Sequence, residues 1–215
     1  SAECAAECRQ RRVYNRTVMI LIAITGGIGS GKSVVSEVLR LKGYKVLDSD
    51  IHARRIMDAD AGIKARIAGE ICCEAIVDGN IDRRRLAAAV FFDAGLLGRL
   101  NAIVHPAVVN SLAAETPGKD GLLFVETAIF YQSRLNRVAD AEWRVESPMP
   151  MRVARVMRRS GLTAAEVAAR IKSQVYALPV DEPRPPVSEI VNDECVSLLG
   201  QINALLEELK QGLTH

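Results

Sequence analysis

Apolar residues in this chain fall into two rhythms. Met19-Ile20-Leu21-Ile22-Ala23-Ile24-Thr25 is an unbroken apolar run that ends in glycines, the pattern of a strand covered on both faces, as in a parallel sheet. Leu122 to Val125 repeats the pattern and closes on Glu126. Tyr44 to Leu47 is a shorter version ending in Asp48-Ser49-Asp50, Trp143 to Glu146 a weaker one closed by Ser147-Pro148, and Glu189 to Val191 a last short one. Between the first two strands, Val34, Val35, Val38, Leu39 and Leu41 recur at helical spacing, and Gly43 supplies a stop. The chain therefore opens as a strand–loop–helix–strand unit, and the expected fold class is α/β, a parallel sheet flanked by helices.

The middle of the chain changes character. The spacing predicts a short helix over Ile51–Met57, a turn at Asp78-Gly79-Asn80, and helices over Asp82–Phe92 and Leu96–Ala114, the second interrupted at His105-Pro106. A simple crossover between parallel strands needs only a dozen or so residues, so residues 51–114 are expected to form an inserted helical domain. Met151 to Arg159 reads as a basic helix. Thr163 followed by Glu166 is a capping box opening a helix to about Tyr176. The four prolines between Leu178 and Ser188 require a loop. Val196, Leu199, Ile202, Leu205, Leu206 and Leu209 form the stripe of a closing amphipathic helix.

Bulk numbers narrow the picture without deciding it. Of 215 residues, 49% are hydrophobic and 25% charged, which excludes wholesale disorder, and a net charge of +2 calls for neither nucleic acid nor an anionic membrane. No apolar run approaches the ~20 residues of a membrane helix. Residues 1–18 lack the apolar middle of a signal peptide and are expected to be a poorly ordered extension. Cys4, Cys8, Cys72, Cys73 and Cys195 have no zinc-site spacing, and His52, His105 and His215 are too scattered for a metal site. Reduced thiols and a cytoplasmic location follow.

The chemistry starts at Gly26-Gly27-Ile28-Gly29-Ser30-Gly31-Lys32-Ser33, which fits G-x-x-x-x-G-K-[ST] in full between a buried strand and a helix. Glycines let backbone N–H groups turn inward toward phosphates, and the helix that follows points its positive end at them. Lys32 is expected to reach the β- and γ-phosphates of ATP and Ser33 to ligate Mg²⁺, with Gly27 to Val34 forming the cradle. Asp48 and Asp50 sit at the carboxyl end of the second strand, the edge where open parallel sheets bind ligands. There they could hold the metal through water or accept the proton of an attacking hydroxyl. Ser49 or Asp50 could also simply cap the helix that starts at Ile51. Arg152, Arg155 and Arg159 share one face of the basic helix, with Arg170 and Gln174 on a face of the next. Such a run is either a solvated surface or a lid that neutralises charge on a transferring phosphate.

Guanine-specificity and transporter signatures are absent, which leaves small-molecule kinases. Within that group the order of motifs resembles the dephospho-coenzyme A kinase family. The resemblance rests on Thr25 to Ser33, Val46 to Arg54, Asp82-Arg83 with Leu86 and Val90-Phe91, Leu100 to Pro106, Arg155 to Arg159, Arg170 with Gln174, and Ile190-Val191-Asn192. It implies a nucleotide-binding core (19–50, 115–150 and 187–215), an acceptor-binding domain (51–114) and a lid (151–186). It also implies ATP, Mg²⁺ and the ribose 3′-hydroxyl of dephospho-coenzyme A as acceptor. On that resemblance Asp50 is the base and Arg155 and Arg159 are catalytic lid arginines. Asp48, Arg83 and His105 lie on the acceptor side, and Asn192 lies near the adenine of ATP. One stretch departs from the family pattern: Gln132 stands where the family has Glu, and the acid nearby is Glu126. A kinase for another nucleoside or nucleotide, or a nucleotide switch without turnover, are the alternatives.

Overall fold

The computed structural model describes residues 19–173 and 182–213. The expected extension at 1–18, Gln174 and the end of its helix, and the start of the proline-rich loop lie outside them.

The sheet has strands β1 (Ile20–Thr25), β2 (Lys45–Asp48), β5 (Leu122–Glu126), β6 (Ala141–Glu146) and β7 (Val187–Val191), in the order β2-β5-β1-β6-β7, all parallel. The βαβ unit read at the start of the chain is therefore not a pair of neighbours. β5 fills the slot between β1 and β2, and its last residue, Glu126, is level with Ile24 on one side and Asp48 on the other. Leu21 to Ile24 and Leu122 to Val125 are completely buried, as uninterrupted apolar strands in a two-faced sheet must be.

Helix α1 (Lys32–Leu41) and the terminal helix α8 (Leu198–Leu213) cover one face of the sheet. There Val35, Leu39, Ile202 and Leu206 meet Ile22, Phe124 and Trp143. The stripe expected along α8 is only partly buried: Val196 lies before the helix and Leu199 is exposed.

The other face carries the long insertion. Here the helix expected at 51–57 is longer, α2 (Ser49–Ala59), and a further helix, α3 (Ala61–Glu70), follows it. Asp78-Gly79 is a tight turn, with both residues at positive φ, joining strands β3 (Ile76–Val77) and β4 (Asn80–Ile81). Helices α4 (Arg83–Phe91) and α5 (Ala94–Ala113) complete the layer. Pro106 does not interrupt α5. The helix runs through it, and Ile103, Val104, Val108 and Leu112 are buried on either side of the proline. Burial of that apolar row compensates for the one ladder hydrogen bond that a proline forfeits. Ile63, Ile67 and Ile103 share one core with Leu21 and Val125 of the sheet.

Helices α6 (Met149–Ser160) and α7 (Ala164–Ser173) form a third, small cluster in which Val156, Val167 and Ile171 pack with Ile28 of the glycine-rich loop. The capping box is present in both senses. The Thr163 backbone N–H donates to Glu166 Oε2 at 2.8 Å, and the Glu166 N–H donates to Thr163 Oγ1 at 3.4 Å.

Candidate active site

The loop after β1 is held in place from three sides. Gly31 starts α1 in a left-handed conformation, φ 101°, and a Cβ there would run into the Asn192 amide. That amide donates from Nδ2 to the Ser30 carbonyl at 2.8 Å. From above, Arg152 Nε donates to the Ile28 carbonyl at 3.0 Å, and a Cβ on Gly27 would meet the Arg152 guanidinium. From within, Lys32 Nζ donates to the Gly26 carbonyl at 2.8 Å. Burial drives the Lys32 pKa below its ordinary value. Glu126 opposes that shift, Arg152 and Arg159 add to it, and Asp50 opposes it more weakly. One ammonium thus feels two acids and two arginines brought from three other elements of the chain.

A cleft of about 420 Å³ opens over the loop. Lys32, Ser33, Asp50, Glu126, Arg155 and Arg159 are among its walls, together with Ile28, Gly29, Gly31 and Val34. Asp48 also lines it, but Asp48 Oδ1 caps α2, accepting from the Asp50 and Ile51 N–H groups at 2.9 Å each. The capping role foreseen for Ser49 or Asp50 therefore falls to Asp48, and Asp50, just inside the helix, is left facing the cleft. Arg155 is tied down, donating to Ser147 Oγ at 2.9 Å and to the Asn192 carbonyl at 3.3 Å, and pairing with Glu194 at 3.2 Å.

Ser49 and Asp50 also line a second cleft of about 190 Å³, whose walls include Met57, Val104, Val108, Ile129 and His105. His105, Asn101 and Ser133 in turn line a third, of about 470 Å³, with Gln132, Arg134 and Arg137. Shared residues set the three clefts side by side, as a row that makes a groove from the glycine-rich loop to α5. Ser49 Oγ is buried beside this groove with no hydrogen-bond partner among the described residues. Burial lowers the His105 pKa; a bond with the Gln132 backbone opposes the shift and Arg134 reinforces it.

Lys32, Ser33, Asp48, Asp50, Arg155, Arg159 and His105 line these clefts, and Asn192 touches the loop beneath them, whereas Arg170 and Arg83 line none of them. Arg83 pairs with both oxygens of Asp58 at 2.8 Å on the outer side of α2. Two arginines play larger parts than the sequence suggested. Arg152 was visible only as one of a basic run, and Arg134 carried no signal, because it belongs to a short irregular segment whose position depends on where Phe130 and Leu135 are buried.

The profile of the dephospho-CoA kinase family (CoaE) matches residues 20–191. The dephospho-CoA kinase of Anaeromyxobacter dehalogenans is 37% identical over 201 residues, covering 90% of this chain and 94% of that protein. A solved structure from Thermus thermophilus superposes with a TM-score of 0.68 at 34% identity, covering 90% of this chain and 99% of the other. A dephospho-CoA kinase structure from Campylobacter jejuni shares the fold, with a TM-score of 0.60 at 20% identity over 89% and 98% of the two chains. With the complete phosphate loop, the carboxylates opposite it and this agreement along nearly the whole sequence, the chain belongs to the dephospho-CoA kinase family.

Proposed function

We propose that this protein transfers the γ-phosphoryl group of ATP to the ribose 3′-hydroxyl of dephospho-coenzyme A, giving coenzyme A. The observation that carries the reading is the double position of Asp50, which lines both the cleft over the phosphate loop and the groove leading away from it. A donor nucleotide and a long acceptor would meet at that point.

The roles follow from the chemistry of the side chains. Loop N–H groups and the α1 N-terminus would hold phosphate oxygens. Lys32, Arg155 and Arg159 would stabilise charge that develops during transfer, with Arg152 beside them. Asp50 would accept the hydroxyl proton. Among the described residues no group of three or more His, Cys, Asp or Glu could hold a metal unaided. Mg²⁺ keeps several waters and is commonly shared with substrate phosphates, so an oxygen set of the Ser33 hydroxyl with Asp48, Asp50 or Glu126 through water fits it. When bound there, it would neutralise charge on the β- and γ-phosphates.

The groove suits a bulky acceptor. Its middle is apolar, and its far end offers His105, Ser133, Gln132 and Arg134. In this reading residues 51–114 form the acceptor-binding domain, the described residues of 151–186 the lid and the rest of the described chain the nucleotide-binding core. Cys72, Cys73 and Cys195 are free thiols, in keeping with an enzyme of the cytoplasm, and no helix among the described residues is long and apolar enough to cross a membrane.

The test is ATP consumption with dephospho-coenzyme A, adenosine and nucleoside monophosphates as competing acceptors, with the phosphorylated position read by NMR. Dephospho-coenzyme A should have the highest kcat/KM and gain its phosphate at the 3′-oxygen. A better nucleoside or monophosphate acceptor would refute the assignment.

A further inference from the structure

β6 carries a carboxylate where a strand covered on both faces would ordinarily be apolar. Glu142 is 1% exposed. Each of its oxygens accepts two bonds. Oε1 takes the Thr25 hydroxyl at 2.6 Å and Arg144 Nε at 3.0 Å, and Oε2 takes the Tyr131 hydroxyl at 2.8 Å and Arg144 Nη2 at 3.2 Å. Burial, with the Glu142 carboxylate adding to it, pushes the Tyr131 pKa up to about 12, so its hydroxyl stays a donor in neutral solution. An apolar residue at position 142 would avoid the desolvation of a carboxylate altogether, so the network calls for a reason beyond packing.

The reason lies at Thr25. It is the last residue of β1 and is itself buried. The next residue, Gly26, turns the chain into the phosphate loop with φ 140°, and its carbonyl accepts the bond from Lys32 Nζ. A cavity of about 150 Å³ lies against this junction, lined by Thr25, Gly26, Phe130, Tyr131, Glu142 and Arg144 among others. Close packing therefore does not fix the Thr25 side chain from that side, and the short bond to Glu142 does.

We infer that Glu142 is a positioning residue for phosphoryl transfer: by holding Thr25 it sets the first peptide of the phosphate loop, and through that peptide Lys32. The inference goes beyond the acceptor assignment and rests only on the chain being a P-loop kinase. Thr25 is the partner that transmits the effect, whereas Tyr131 and Arg144 satisfy the buried charge.

The experiment compares Glu142→Gln, Thr25→Val, their double variant, Thr25→Ser and Tyr131→Phe. It measures kcat and ATP KM with dephospho-coenzyme A, the slow hydrolysis of ATP without acceptor, and Tm. Misplacement of a group acting in the transition state shows in rate, so Glu142→Gln and Thr25→Val should each lower kcat about 10- to 100-fold and shift ATP KM less than about threefold. The double variant should be no slower than either single one, since both break the same link. Thr25→Ser keeps the donor and should restore most of the rate, while Tyr131→Phe should lower Tm and leave kcat within about twofold. Full kcat in Glu142→Gln with only a lower Tm would reduce the network to a core ion pair, and multiplying losses in the double variant would break the proposed path. If Glu142→Gln does not fold, the contrast between Thr25→Val and Thr25→Ser decides, because both keep the carboxylate. If the wild type hydrolyses ATP but ignores dephospho-coenzyme A, the acceptor assignment fails, while the hydrolysis rates still decide the role of Glu142.

Discussion

Arg152 Nε donates to the Ile28 carbonyl at 3.0 Å, and this bond seats α6 directly on the phosphate loop. A guanidinium so close to the loop is well placed for oxygens whose charge grows during transfer. Arg152→Ala should lower kcat about 10²- to 10³-fold, the usual effect of removing one such donor, with a smaller rise in ATP KM. Steady-state kinetics at saturating acceptor would separate this from a mere binding contact, for which KM alone would rise.

Lys32→Ala should abolish turnover while the circular dichroism spectrum is unchanged. A finer test uses its neighbour. Burial lowers the Lys32 pKa and Glu126 resists that lowering, so Glu126→Gln should drop it further. The active ammonium form is then lost earlier as pH rises, and the alkaline limb of kcat should move to lower pH. An alkaline limb that stays in place in Glu126→Gln would separate Lys32 from the observed titration.

Asp50→Asn should lose about 10²- to 10⁴-fold in kcat, the range for a positioned base, with ATP still binding by isothermal calorimetry. Asp48 has a different duty. Asp48→Asn keeps an acceptor for the α2 cap and should fold normally, whereas Asp48→Ala should cost about 0.5–2 kcal/mol of stability. Equal, small losses of rate in Asp48→Asn and Asp50→Asn would remove the base from the mechanism.

The phosphate loop could be read from one segment because every part of its chemistry is contiguous, from the strand Ile20–Thr25 to the helix beginning at Lys32. Asp50 was legible for the same reason, as the residue just past a strand end. Arg134 was not, since it reaches the groove through tertiary placement of a short non-repetitive segment. Glu142 lay just before the weak strand read at Trp143 to Glu146, whereas β6 begins at Ala141. Its partners Thr25 and Tyr131 lie 117 and 11 residues away, and no local rule joins them. Arg83 is the reverse case, named from the sequence and held in the fold by a partner no local pattern announced. The resemblance put it on the acceptor side, and in the structure an acid on α2, Asp58, engages it.

Arg134→Ala should therefore raise the KM for dephospho-coenzyme A more than Arg83→Ala does, with ATP KM unchanged in both. Arg134 lines the far end of the groove, while Arg83 forms an exposed pair of the kind worth little. A larger acceptor effect from Arg83→Ala would place the acceptor elsewhere.

Two histidines make stability depend on pH. Burial lowers the pKa of both His52, which lies 3.0 Å from Ser111 Oγ, and His105. A histidine whose folded pKa lies below its unfolded value leaves the unfolded state binding more protons, so stability falls as pH drops through about 6.5 and below. Urea unfolding at pH 7 and pH 5 should show that loss in the wild type and a smaller loss in His52→Gln/His105→Gln. An unchanged pH dependence in the double variant would assign the effect to other groups.

The slot that β5 fills between β1 and β2 also sets an order of events during synthesis. β1 and β2 emerge from the ribosome early, yet among the described residues neither pairs with the other. Each must wait for Leu122–Glu126 to supply a partner, about a hundred residues later for β1. The first half of the chain can form its helices and the β3–β4 hairpin at once, but β1 and β2 stay unpaired until β5 has been translated, so collapse of the nucleotide-binding face is timed by a single five-residue segment.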